Sequence, residues 1–245
     1  MKALILAAGR GTRLGALTSD CPKPLLDLAG RPIIEWIIGS LRDAGVGEFV
    51  IVTGHLAERM ESHLGDGSGL GITIQFLRQE NPRGTGEAVN LARDLLRDGP
   101  FVMTYGDIVI SPENCGAILR DFEEHPCDLL IGLNWVEDPT AGGAVYVDGD
   151  LRVMEFIEKP PPGTSTTHWN SAGLMVMTPA IFEHTAVLSP SARGELEISD
   201  AFQGMIEAGC TLRGFPLRGF WSDIGTPGDL QRTREVFGGA SQSDH

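Results

Sequence analysis

Lysine is scarce in this 245-residue chain: only Lys2, Lys23 and Lys159 occur among its 19 basic residues, and 33 acidic residues leave a net charge of −14. A field of that sign disfavours broad contact with nucleic-acid backbones or anionic membranes, so neither is expected as a partner. No apolar run approaches the ~20 residues of a membrane span. The opening Met-Lys-Ala-Leu-Ile-Leu-Ala-Ala-Gly imitates a leader, but its apolar stretch is only Ala3 to Ala8 and Arg10 and Arg13 follow at once, which marks a buried first strand. The four cysteines, Cys21, Cys115, Cys127 and Cys210, include no CxxC pair. A domain of this size needs no staples, so reduced thiols and a cytoplasmic location are expected. No Gly-Lys dipeptide occurs, which excludes a Walker-type phosphate loop. The six histidines show no metal-ligand spacing, and neither a Ser-His-Asp nor a Cys-His arrangement is evident.

The composition, 42% hydrophobic and 21% charged, is that of a globular chain able to bury a sizeable core. Its first half alternates strands and helices. Ala3–Ala8, Phe49–Val52, Ile72–Leu77 and Phe101–Thr104 read as strands, and helices are expected from Pro32 to about Gly45, Leu56 to Leu64 and Glu87 to Leu96. The second half is more mixed, with strands expected at Leu129–Val136, Ala144–Val147, Val153–Ile157 and Leu174–Met177. Helices are expected at Ser199–Ala208, with Ser199 as N-cap, and at Pro227–Phe237. Strands separated by helices of this length indicate a Rossmann-like α/β/α sandwich with a mostly parallel central sheet. Residues 1–237 are expected to form one domain in two halves, 1–107 and 108–237, with 238–245 as a flexible tail.

Three features point to phosphate chemistry. Gly9-Arg-Gly-Thr-Arg-Leu-Gly15 directly follows the first strand, where glycines let backbone N–H groups approach a phosphate. Leu14 stands where a dinucleotide-binding GxGxxG loop needs its third glycine, which argues against an oxidoreductase; a tight turn serves the same glycines equally well. In an arginine-rich protein the retained Lys23 (between Pro22 and Pro24) and Lys159 (before Pro160) invite a reason, because a compact ammonium fits between phosphate oxygens. Proline fixes its own φ and pushes its preceding residue toward extended geometry, so both lysine backbones are expected to be held with little freedom; unremarkable surface lysines are the alternative. Asp107 lies just past an apolar strand, where open α/β sheets bind ligands, and Asp223 follows Phe220-Trp-Ser222. Two converging aspartates suit Mg²⁺, which takes one or two carboxylates and leaves the rest to phosphates and water. Turn or helix capping is the plainer role for each.

Taken in order, these segments resemble the sugar-1-phosphate nucleotidylyltransferases. The likeness rests on Leu6-Ala-Ala-Gly-Arg-Gly-Thr-Arg-Leu14, Thr18, Pro22-Lys-Pro24, Gln79 with Gly84-Thr85, Gly106-Asp107, Gly143, Glu158-Lys-Pro160, Asn170 with Gly173, and Trp221-Ser-Asp-Ile-Gly225. It spans nearly the whole chain. Ala16 departs from the family, which commonly has Pro there. Arg193-Gly-Glu-Leu-Glu-Ile-Ser-Asp200 and Gln79 resemble the glucose-1-phosphate thymidylyltransferase branch, with uridylyltransferases close by.

The resemblance implies an enzyme that joins a nucleoside triphosphate, dTTP or UTP favoured, to a sugar 1-phosphate, glucose 1-phosphate favoured. An NDP-sugar and pyrophosphate are the products. It implies Mg²⁺ on Asp107 and Asp223, and catalytic charge from Arg13 and Lys23. Nucleotide contacts are implied at Leu6, Ala8, Gly9, Gly11, Thr12, Arg13, Gln79, Gly84, Thr85 and Asp107. Sugar-phosphate contacts are implied at Gly143, Glu158, Lys159, Asn170, Gly173 and Glu197. A homo-oligomer is compatible with this reading. The alternatives are guanylyl or cytidylyl transfer to mannose 1-phosphate or another phosphorylated acceptor, and a non-catalytic sugar-nucleotide sensor.

Overall fold

A computed structural model describes residues 1–240, with backbone alone for 238–240. Strands and helices follow in the order β1 Lys2–Ala7, β2 Asp27–Leu28, β3 Arg31–Pro32, α1 Ile33–Asp43, β4 Glu48–Thr53, α2 Ala57–Leu64 and β5 Thr73–Arg78. Next come α3 Thr85–Leu91, α4 Arg93–Leu96, β6 Phe101–Tyr105, β7 Ile108–Ile110, α5 Glu113–Glu124, β8 Leu129–Trp135, β9 Gly143–Val147, β10 Val153–Glu158 and β11 Trp169–Met177. The chain closes with α6 Ile181–Thr185, α7 Ile198–Glu207, β12 Leu212–Pro216, β13 Trp221–Asp223 and α8 Pro227–Ala240.

The fold is an α/β/α sandwich around a nine-stranded sheet ordered β10-β9-β11-β6-β1-β4-β5, with β8 and then β12 branching from β11. Tracing the pairings, β1, β4, β5, β6, β8, β9 and β12 run one way and only β10 and β11 run the other. Alternate side chains of β1 feed two cores. Ala3, Ile5 and Ala7 pack with α1, α2, α5 and α8, while Leu4 and Leu6 pack with α3, α4, α6 and α7. Burial on both faces is why β1 reads as an unbroken apolar run instead of an alternating one.

β1 lies between β4 and β6, both parallel to it, and the chain reaches them from opposite sides. The carboxyl ends of β1 and β6 therefore border a topological switch point, the crevice where such sheets bind ligands. β7 and β13 form a separate antiparallel pair in which Asp223 lies opposite Ile108. The Ile224 N–H also donates to the Asp107 carbonyl (3.0 Å). These short strands carry Asp223 from the far end of the sequence to Asp107.

Several local expectations change. The helix expected over Glu87–Leu96 is two segments meeting at Ala92, and it starts earlier, at Thr85. Ser199 is not the N-cap of α7: Glu197 holds that position, and Ser199 is buried inside the first turn. α8 runs through Phe237 to Ala240, so 238–240 are helical, and the rest of the expected tail lies outside the described residues. Phe237 is what carries the helix past its expected end, since its ring meets Trp36 and Phe220 edge-on at 5.0 and 5.8 Å.

Candidate active site

The loop after β1 turns over the crevice through Gly11 (φ 63°), in the left-handed region that glycine enters without strain. Among the described residues, the N–H groups of Gly9, Arg10 and Gly11 carry no hydrogen bond. They are donors open to an anion. Leu6 contributes a buried side chain, and its carbonyl accepts from the Gly106 N–H (2.9 Å). Thr12 and Arg13 are exposed on the loop, and the Arg13 guanidinium packs against Gly225, beside Asp223.

Lys23 is buried, and its ammonium is ion-paired with Asp107 and lies 3.7 Å from Asp223 Oδ1. Its backbone does not take the extended geometry usual before a proline: Lys23 opens a short 3₁₀ turn through Leu25, with Pro24 accommodated at the second position. Lys159 departs further, with φ 44° in the left-handed region despite Pro160. A hydrogen bond from its N–H to the Gly142 carbonyl (2.8 Å) helps to hold this costly conformation. The two prolines therefore flank shaped turns and not straight segments.

A cleft of about 470 Å³ joins the two halves of the chain. Arg13, Thr85, Asp107 and Asp223 lie along it with Gly143, Glu158, Lys159, Asn170, Gly173 and Glu197. Ala8 and Gln79 line a second recess of about 330 Å³ on the β4–β5 side of the Gly-rich loop. Gly84 (φ 125°) and Thr85 connect the halves: a Cβ on Gly84 would meet the Leu196 backbone at 2.5 Å, and the Thr85 hydroxyl accepts the Ile198 N–H (3.1 Å). Gly173 (φ 73°) packs so tightly on Ile108 and Tyr105 that a side chain there would displace both.

The larger cleft is lined by polar and charged groups. Asn170 is buried, and its amide donates to Asn134 Oδ1 (3.0 Å) and the Ser171 carbonyl (2.9 Å), while its own Oδ1 has no partner. Glu197 Oε1 accepts from Ser191 (3.1 Å) and from Arg193 Nη2 (2.6 Å). Burial pushes the Glu158 carboxyl up, opposed by Lys159 and Arg193, each 3.7 Å away. A carboxyl whose folded-state pKa is raised stabilises the fold at low pH and loses that contribution as pH rises through the raised value. Glu158→Gln should therefore melt progressively higher relative to the parent as pH rises from about 4 to about 7. Thermal melts across that range check this, and a pH-independent difference would contradict it.

Asp107 and Asp223 are the carboxylates that could hold a cation here. Burial, then the neighbouring Asp107, pushes the Asp223 carboxyl above the usual range, against Lys23 and Arg13. Its buried Oδ1 makes no hydrogen bond. Among the described residues no cluster of three or more metal-type side chains occurs, so phosphates and waters would complete a coordination shell around this pair. Reasoning from sequence omits Arg193, Tyr105 and the Trp221 ring, which all line the cleft. Each lies within or beside a segment quoted above, but nothing in the sequence shows that Arg193 folds back onto Glu158.

Residues 2–236 match the family model described as nucleotidyl transferase. This chain belongs to that family. Its sequence relatives include the low-salt glycan biosynthesis nucleotidyltransferase Agl11 of Haloferax volcanii, 36% identical over 96% of this chain and 66% of that protein. They also include the glucose-1-phosphate thymidylyltransferase of Streptomyces griseus, 34% identical over 94% of this chain and 64% of that protein. The chain thus spans less than two thirds of the length of these relatives. Among solved structures it is similar to a putative glucose-1-phosphate thymidylyltransferase from Bacillus anthracis in complex with a sucrose. That likeness has a TM-score of 0.88 and 28% identity, and covers 97% of this chain and 95% of that one. The expected family, the sugar-1-phosphate nucleotidyltransferases, and the expected fold class both hold. No described helix is long and apolar enough to cross a membrane.

Proposed function

We propose that this protein joins a nucleoside triphosphate, dTTP or UTP by preference, to a sugar 1-phosphate, glucose 1-phosphate by preference, releasing pyrophosphate. The observation that carries this reading is the meeting of Asp107, Asp223 and Lys23 at the switch point of the sheet. The two aspartates of that cluster line a cleft that Lys159, Glu158 and Asn170 also line, the last with an Oδ1 unpartnered among the described residues. The sugar-phosphate oxygen is already anionic, so it attacks the α-phosphorus without a general base. The bond to the bridging oxygen breaks, and its electron pair leaves with pyrophosphate. Catalysis is then positioning and charge neutralisation. Lys23 serves the α-phosphate, and Arg13 with the Gly9–Gly11 amides draws charge onto the departing pyrophosphate. Lys159 neutralises the sugar phosphate, with Arg193 beside it; Glu158, Asn170 and Glu197 receive sugar hydroxyls. Asp107 and Asp223 would hold Mg²⁺, which when bound supplies further neutralisation of phosphate charge. The four cysteines are free, which suits a reducing, cytoplasmic setting.

A matrix of dTTP, UTP, GTP and CTP against glucose and mannose 1-phosphates, read by pyrophosphate release, tests the reading. The highest turnover is expected for dTTP or UTP with glucose 1-phosphate. Release in no combination, with nucleotide binding intact, would identify a sensor instead.

A further inference from the structure

We infer that Glu87 is a specificity-determining positioning residue: by taking the amide N–H groups of Gln79, it leaves Gln79 able to offer only an acceptor to a nucleotide base. This rests on the proposed function together with the nucleotide contact implied at Gln79, which puts the base at the recess beside the Gly-rich loop.

Gln79 directly follows β5 and is buried, and its backbone N–H donates to the Thr53 carbonyl (2.8 Å). Its side-chain nitrogen donates to Glu87 Oε2 (2.8 Å) and to the Gly84 carbonyl (3.2 Å). Both partners are acceptors only, because a carboxylate and a carbonyl have no proton to give. The amide is therefore oriented by chemistry, with NH₂ toward Glu87 and Gly84 and Oε1 turned away. Among the described residues Oε1 has no partner, and Gln79 lines the recess with Ala8, Gly54 and His55.

Glu87 is itself held in place. It sits in the first turn of α3, and its carboxylate accepts the Arg83 backbone N–H (3.1 Å) and Arg83 Nε (2.7 Å). Burial opposes its ionisation, but the bonds from Gln79 and Arg83 outweigh that and carry the carboxyl below the usual range. It thus remains an acceptor at neutral pH.

An amide free to turn matches either a ring N–H or a ring nitrogen lone pair. One fixed as Glu87 fixes Gln79 matches the N–H alone. Uracil and thymine carry a proton on N3, whereas cytosine presents a lone pair there, which would face Oε1 with no hydrogen between them. A site that leaves buried polar groups unpaired discriminates strongly. The ligand class selected is a pyrimidine imide.

The test compares kcat/KM for UTP and CTP, with glucose 1-phosphate as acceptor, in the parent, Glu87→Gln, Glu87→Ala and Gln79→Ala. A glutamine at 87 both donates and accepts, so it no longer dictates which end of Gln79 faces it, and only the longer bond to the Gly84 carbonyl (3.2 Å) then favours one orientation. The UTP/CTP ratio is expected to fall by about tenfold or more in both Glu87 variants. Equal losses for the two nucleotides, leaving the ratio at the parent value, would reduce Glu87 to a helix-start contact and overturn the inference. Should Glu87→Gln not fold, Glu87→Ala carries the same comparison. A Gln79→Ala enzyme that keeps the parent ratio would overturn the base contact itself, a failure distinct from that of Glu87.

Discussion

Lys23→Ala is expected to lower kcat by about 10²–10³ with little change in the apparent KM for either substrate. The loss follows from where the ammonium lies. Lys23 is buried, touches Asp107, and stands 3.7 Å from Asp223 Oδ1, so its charge sits in surroundings that screen poorly. A contact of this kind gains strength as charge builds on the α-phosphoryl oxygens, and a truncation that removes a transition-state contact lowers kcat more than binding. Lys23→Arg is expected to fail almost as badly. The ammonium reaches Asp107 and Asp223 as a compact point charge, and the longer, planar guanidinium cannot take the same position between them. Steady-state rates, paired with circular dichroism to show that the variants fold, decide the matter. Turnover of Lys23→Ala within about threefold of the parent would remove Lys23 from the chemistry, since that change is only about 0.65 kcal/mol of barrier.

The parts of this molecule that announce themselves in sequence are those with regular periodicity. β1, β4 and β6 read as apolar runs because helices cover both faces of the sheet, and α1 reads as a helix because Ile33, Ile34, Ile37, Ile38 and Leu41 recur on its buried face. α5 has the same kind of signal in Cys115, Ile118, Leu119 and Phe122, yet it lies outside the strand–helix alternation read from the chain. β7 and β13 could not be read in this way, because three-residue strands have no measurable period. That gap touches the site directly: the Ile108–Asp223 register is what brings the second aspartate to the first. Lys159 shows a different limit. The residue before a proline is normally extended, and tertiary contacts around Gly142 override that preference here. Sequence motifs thus name the chemical groups along the cleft, while non-local pairings and local strain decide how they meet.

Those pairings give the second large expectation: Asp223→Asn and Asp107→Asn should each raise the Mg²⁺ concentration for half-maximal rate by about 10–100-fold. Loss of an outer-shell partner alone weakens metal sites by that factor, and a direct carboxylate should matter at least as much. The two variants are expected to differ in stability. Asp223 is raised by burial and then by the neighbouring Asp107, so in the folded protein it resists ionisation more than it would unfolded. Above that raised value its charge opposes folding, and Asn removes the opposition without changing the shape of the side chain. At about pH 7 Asp223→Asn should therefore melt above the parent while needing more Mg²⁺, a gain in stability at the expense of function. Asp107 is the closer ion-pair partner of Lys23, and its replacement strands a buried ammonium with only Asp223 nearby, so Asp107→Asn should melt below the parent. Metal titrations against initial rate, with thermal melts in metal-free buffer, separate the two effects. Unaltered titration curves in both variants would exclude the aspartates as the cation site, whatever the melts show.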